Sequence, residues 1–179
     1  PLYSSAASDV YKRQLVNALN RDIDKYIISV MSDTETLAIY SNAARVLPFD
    51  IVLISFMTVL LPHITRQIVE RRYIDAVETY RSYLEISYIS TALFALSVLT
   101  AAPEAMNLLY SEKYLSGLPV FCIYIISDIF HFASITLILT ASGKTKLLMR
   151  IGLTGLVVNF VLNIIFYHFF GVVGPAIAT

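Results

Sequence analysis

Long apolar runs broken by short polar clusters set the pattern of this chain. A membrane-crossing helix needs about 20 mostly apolar residues. Runs of that order predict helices over 15–32, 37–65, 86–103, 118–142 and 147–170, with a further one beginning at 172. Asp33-Thr34-Glu35-Thr36 separates the first two, and Asp33 is placed to N-cap the second. Pro48 should kink the second run, because its ring removes a backbone hydrogen bond and crowds the preceding turn. Pro62 lies near the far end of that run, so Pro48 and Pro62 are the candidate hinges. The charged stretch 66–81, RQIVERRYIDAVETYR, predicts a helical connector lying along a membrane surface. Pro103-Glu104 closes the third run, and Ser142-Gly143-Lys144-Thr145-Lys146 makes a sharp polar turn before the fifth.

The composition carries the same message. Of 179 residues 57% are hydrophobic and 15% charged, with a mean hydropathy of +0.69. A soluble domain would carry about a quarter charged residues, so the fold class is all-α, a polytopic transmembrane helix bundle. Balanced charge, with 13 basic and 13 acidic residues, gives no sign of a nucleic-acid partner. The single Cys122 allows no intrachain disulfide or cysteine metal cluster. Without Trp, interfacial anchoring falls to tyrosines such as Tyr110 and Tyr114. No nucleotide-binding loop, Ser/His/Asp order or metal-ligand spacing is present, so neither an enzyme nor a cofactor is expected.

Polar residues inside the runs change the picture most. Asn17, Asn20, Arg21 and Asp24 fall at i, i+3, i+4 and i+7 and form one helical stripe. Leu15, Val16, Leu19, Ile23, Tyr26 and Val30 lie opposite. A charged stripe in a membrane-class helix normally faces an aqueous cavity, so this one is expected to wall such a cavity. Asp128 and His131 stand one turn apart in the fourth run, and Gly155, Asn159 and Asn163 share a stripe in the fifth. Basic residues fall in alternate connections: Arg66, Arg71, Arg72 and Arg81 in one, Lys144, Lys146 and Arg150 in another, against Lys113 alone on the other side. The positive-inside rule makes the basic connections cytoplasmic.

Residues 1–14 stand apart. Ser4 to Gln14, SSAASDVYKRQ, resembles the in-frame translation of a transposase-type sequencing adapter, so 1–14 is expected to be non-native. Leu15 would then begin part-way through a helix, and 15–179 would be a fragment cut at both ends.

Several phrases resemble one family in order. Asp24-Lys25-Tyr26-Ile27-Ile28 with Tyr40-Ser41-Asn42-Ala43, then Leu61-Pro62-His63-Ile64-Thr65, are similar to successive motifs of polysaccharide exporters. Leu108-Leu109-Tyr110-Ser111-Glu112-Lys113-Tyr114 follows, with Ser111 where glycine is usual. Asn159 to Thr179, with Gly171-Val172-Val173-Gly174-Pro175, closes the set. The resemblance is to the oligosaccharide flippases of Wzx, O-antigen type, in the multidrug/oligosaccharidyl-lipid/polysaccharide exporter superfamily. It implies about 12 to 14 spans in two lobes around a central cavity, with 15–179 supplying most of the second lobe. It also implies ion-coupled alternating-access transfer of undecaprenyl-diphosphate-linked oligosaccharide across the bacterial cytoplasmic membrane, beside glycan polymerase and ligase machinery.

Such a substrate needs cations for its diphosphate and amides or hydroxyls for its sugars. Arg21, Arg45 and Lys25 are the candidate cations, with Asn17, Asn20 and Asp24 beside them. An unpaired guanidinium within a span costs about 2.5–3.5 kcal/mol on insertion scales, so substrate, water or a carboxylate must meet it. Arg21 with Asp24, and Arg45 with Asp50 or Asp24, are the purely structural pairings. Asn159 and Asn163 suit interhelical hydrogen bonding. Tyr26, Tyr40 and Tyr124 could stack on sugars or anchor span ends. Asp128 with His131 could exchange the coupling proton or only fix packing. A drug or cation antiporter of the same superfamily would favour acidic walls, which the two arginines oppose. A membrane-embedded glycan-modifying enzyme built on Asp128 and His131 is the alternative from another class.

Overall fold

We describe the chain from a computed structural model, which gives the backbone of residues 2–45, 48–131 and 135–178 and the side chains of 12, 14–45, 55–130 and 137–178. Among the described residues every regular element is helical. In order they are α1 (Leu2–Met31), α2 (Thr34–Ala43), α3 (Pro48–Val69), α4 (Tyr73–Thr100), α5 (Ala102–Tyr110), a 3₁₀ turn (Glu112–Gly117), α6 (Leu118–His131), α7 (Ile135–Ala141), α8 (Thr145–Phe170) and α9 (Val173–Ala178). The all-α expectation holds. Tyr73–Thr100, Glu112–Phe130 and Thr145–Phe170 are long and apolar enough to cross a membrane. The chain divides into two compact units, Pro1–Ser41 with Lys146–Thr179, and Asn42–Thr145.

The first unit joins α1, most of α2, α8 and α9. Asp33 caps α2: its Oδ1 accepts the Thr36 N–H at 2.7 Å, which satisfies one of the orphan donors of the first turn. That hydrogen bond holds the Asp33 carboxyl below the usual carboxylate range. The last turn of α1 is tied to α8 by Tyr167. Its hydroxyl lies 2.9 Å from the Met31 carbonyl, to which it donates, and 2.8 Å from the Ser32 hydroxyl. α8 ends at Gly171, whose φ of +59° suits the left-handed cap and whose N–H reaches the Tyr167 carbonyl at 2.8 Å. The chain then doubles back so tightly that a Cβ on Gly174 would fall on the Phe166 carbonyl. Only glycine fits there.

The second unit is built on an α3–α4 hairpin against α6 and α7, with α5 and the 3₁₀ turn at one end. Its cluster holds Ile64, Ala76, Leu137 and Ala141, covered by Met57, Leu60, Leu61, Ile68 and Tyr80. The connector expected as a surface helix over 66–81 is instead the two arms of this hairpin. α3 runs through Val69 and α4 starts at Tyr73. Arg71 takes φ +58°, while the Arg71 N–H bonds to the Ile68 carbonyl and the Arg72 N–H to the Gln67 carbonyl. That is a Schellman closure with arginine in the left-handed position. The charge run supplies the exposed pairs Arg66–Glu70, Arg72–Glu70 and Arg72–Asp75 around the turn. Arg66 and then Arg72 hold the Glu70 carboxyl below its usual range.

The run expected as one kinked helix over 37–65 is two helices, with Pro48 at the first position of α3 rather than inside a helix. Proline suits that position, since the first N–H of a helix has no intrahelical partner. Pro62 does lie inside α3. The links 46–47 and 132–134, and the side chains of Pro48, Asp50 and His131, lie outside the described residues.

Both units bury polar groups and expose apolar ones. Asn163 is 0% exposed and Thr91 1%, whereas Val157 is 63% exposed and Leu93 62%. In water that arrangement would be unstable. In lipid it is the favourable one, because hydrocarbon offers the polar groups no partner and the apolar ones no penalty.

Candidate functional site

Helix α1 carries Arg21, Asp22, Asp24 and Lys25 close together, and its sides differ. Val16, Asp24, Ile27 and Ile28 are buried, and Asn20 is partly covered. These positions recur about once per turn and mark the side that meets neighbours. Val16 packs toward Gly152 of α8, where an added Cβ would come within 3.3 Å of its Cγ1. Asn159 Nδ2 of α8 donates to the Asn20 side-chain oxygen at 3.1 Å and approaches the Asn20 carbonyl at 3.4 Å. Asn163 Nδ2 donates in turn to the Asn159 side-chain oxygen at 2.6 Å and its carbonyl at 2.9 Å. Asn159 thus bonds α8 to α1, the interhelical role its spacing suggested, while Asn163 bonds back to Asn159 on its own helix.

Asp24 is fully buried, and Tyr40 of α2, itself fully buried, donates its hydroxyl to Asp24 Oδ2 at 2.9 Å. The predicted stripe of Asn17, Asn20, Arg21 and Asp24 therefore does not present one surface. Asn20 and Asp24 turn into helix seams, while Asn17 and Arg21 are exposed. The apolar side predicted opposite divides too: Leu15, Tyr26 and Val30 are exposed, and Val16 is buried.

The exposed side of α1 holds a charge cluster that residue spacing did not single out. Arg21 pairs with Asp22 rather than through the i+3 spacing to Asp24, with Nε and Nη2 both 3.3 Å from Asp22 Oδ2. Lys25 Nζ donates to the other oxygen, Oδ1, at 2.8 Å. One carboxylate therefore serves two cations, and Arg21 remains 70% exposed. Charge-assisted donors of this kind, Arg in a planar fork and Lys as a point charge, are the groups that hold phosphate.

In the second unit Arg45 is exposed just past α2. Burial pushes the Tyr110 hydroxyl up, and the positive charge of Arg45 opposes that shift. Asp128 is partly covered on α6; its pairing with His131 lies outside the described residues. Pro62 lines an open groove with Val59, Leu60, His63 and Arg66. His63 and Gln67 stand one turn apart at 3.2 Å, and Gln67 donates across to Thr79 of α4 at 3.1 Å. Among the described residues no cluster of histidine, cysteine and carboxylates could hold a metal ion.

Tyr167, Gln67 and the double pairing of Asp22 were not foreseen. For Tyr167 the signal was present: it continues the Asn159–Asn163 spacing by one further turn.

Helices with apolar exteriors, buried amides and a charged exposed face define an integral membrane protein. The family model described as "Lipid II flippase MurJ" matches residues 13–179, and the chain belongs to that family. It is a lipid-linked flippase family of the exporter superfamily that the sequence motifs resemble. The match supports the superfamily and lipid-linked transport and not the O-antigen branch. No curated protein and no solved structure matches the chain.

Proposed function

We propose that the protein moves a polyprenyl-diphosphate-linked glycan, of the lipid II kind, from the cytoplasmic to the outer leaflet of the bacterial cytoplasmic membrane. Transfer proceeds by alternating access. The observation that carries this assignment is the Arg21–Asp22–Lys25 cluster on α1, with Arg21 exposed and the other two partly covered, in a chain whose family is described as lipid II flippases. A diphosphate headgroup cannot cross about 30 Å of hydrocarbon unaided, and the cationic face of α1 gives it a partner. Asn17 on the same exposed side offers its amide to sugar hydroxyls. Arg45 is a second cation for the substrate, and Asp128 with His131 is the candidate for ion coupling. The basic α3–α4 turn and the Lys144–Lys146 turn face the cytoplasm in this orientation.

The test is leaflet transfer of a fluorescent polyprenyl-diphosphate glycan by the gene-encoded protein in proteoliposomes. A hydrogen bond to a charged group contributes about 1.5–3 kcal/mol, so Arg21→Ala should slow transfer by about tenfold to a hundredfold. Arg45→Ala should act in the same direction. Transfer at the wild-type rate in both variants would remove the site assignment.

A further inference from the structure

We propose that Asp22 is a resident counter-ion that makes the α1 cations selective for a diphosphate over the single phosphate of bulk phospholipids, an inference that rests on the transport function above. Its basis is the geometry of the cluster. Asp22 spends both oxygens on cations, Oδ1 on Lys25 at 2.8 Å and Oδ2 on Arg21 at 3.3 Å. The Lys25 contact has ideal charge-assisted length, and the Arg21 contact is long for one. Adjacent residues on a helix do not face each other, so Arg21 reaches Asp22 only by folding its side chain sideways. The carboxylate is therefore held firmly by Lys25 and loosely by Arg21, whose guanidinium remains 70% exposed.

A membrane transporter works among a large excess of anionic headgroups. A bare Arg–Lys pair would bind any of them and stay occupied. With Asp22 in place, a phosphodiester with one negative charge offers the pair no more charge than it already has. It also meets repulsion from the carboxylate. A diphosphate brings more charge and a second group of oxygens, so it can take Arg21 in a planar fork and compete for Lys25. After release the carboxylate closes on both cations again, so the empty state does not leave two charges unmatched. Specificity then comes from a repulsive element as much as from an attractive one.

The experiment measures binding of undecaprenyl diphosphate and of phosphatidylglycerol to the gene-encoded protein in detergent, for wild type, Asp22→Asn, Asp22→Glu and Arg21→Ala. Asp22→Asn should raise phosphatidylglycerol affinity at least tenfold while raising diphosphate affinity less, so the selectivity ratio falls. Asp22→Glu keeps the charge and should keep the ratio near wild type. Asp22→Asn with an unchanged ratio, or a Glu variant as unselective as the Asn variant, would overturn the counter-ion role. If Arg21→Ala leaves diphosphate binding intact, the fault lies with the proposed substrate site. If Arg21→Ala weakens binding while Asp22→Asn leaves the ratio unmoved, only the counter-ion inference fails.

Discussion

Two buried seams, one in each unit, are built from different chemistry. In the unit formed by Pro1–Ser41 and Lys146–Thr179, side-chain hydrogen bonds cross from helix to helix: Asn159 to Asn20, Tyr40 to Asp24, and Tyr167 to the end of α1. In Asn42–Thr145 the buried stripe of α4 is Ala76, Tyr83, Ser87, Thr91 and Ala95. There Thr91 bonds the Ser87 carbonyl of its own helix. Small residues let backbones approach and gain packing contacts, whereas amides join helices by direct bonds. The α1–α8 seam of the first unit is therefore specified by partners and the buried stripe of α4 by shape, with Gln67–Thr79 as a crossing bond at the hairpin end.

The largest way to break the first unit is steric. Gly174→Ala would place a methyl group on the Phe166 carbonyl, a backbone atom that cannot swing aside. Overpacking of this kind costs about 3 kcal/mol. The denaturant midpoint of the purified protein should fall accordingly, and α9 amides should exchange faster. A midpoint equal to wild type would show that the α8–α9 turn has another conformation available.

The second unit carries the opposite case, a position improved by glycine. Ser111, between α5 and the 3₁₀ turn, has φ +92° and ψ 164°, a region nearly exclusive to glycine that costs a side chain about 1–3 kcal/mol. Its N–H bonds to the Asn107 carbonyl and its carbonyl accepts from Tyr114, so neighbouring backbone bonds fix the strained conformation. The glycine usual in the resembling motif has its physical reason here. Ser111→Gly should stabilise the protein by about 1 kcal/mol after the added freedom of the unfolded chain is set against the relieved strain. An unfolding midpoint that falls would show that the Ser111 side chain contributes more than its backbone strain costs.

Much of this was legible in the residues, and the limits have a physical cause. The run over 147–170 matches α8 within two residues at its start, because it is mostly apolar, holds no proline and carries turn residues at its ends. Asp33 as a cap and Gly143 and Gly171 as stops follow from local chemistry, which needs no knowledge of neighbours. The stripe of α1 was read correctly as a set of positions and not as a surface. Periodicity tells which residues share a side of a helix but not what that side meets. In lipid a polar side is satisfied equally by water or by another helix, and α1 has one side against helices and another exposed. Asp24 and Asn20 meet Tyr40 and Asn159, while Arg21 and Asn17 are exposed. The 66–81 connector was misplaced for a related reason. Its charges signal exposure, which a tight hairpin turn satisfies as well as a surface helix does.

The smallest effect tests the comparison most directly. Asn159→Ala removes the donor to Asn20 and an acceptor for Asn163, both in the seam between α1 and α8. Interhelical hydrogen bonds in membranes contribute about 0.6 kcal/mol on average, and the variant should lose about that much. Thr91→Val keeps the shape and deletes a bond that returns to the residue's own helix. The Ser87 carbonyl retains its helical partner, so the loss should be below about 0.3 kcal/mol, within the usual scatter of conservative substitutions. Measured side by side in one detergent, the difference separates a seam held by partners from a seam held by shape. Equal losses would mean that α4 depends on its hydroxyls as α8 depends on its amides, and the contrast between the units would reduce to the identity of the polar group. A larger loss for Thr91→Val would reverse it, because the small-residue seam of the second unit would then be the more chemically specified of the two.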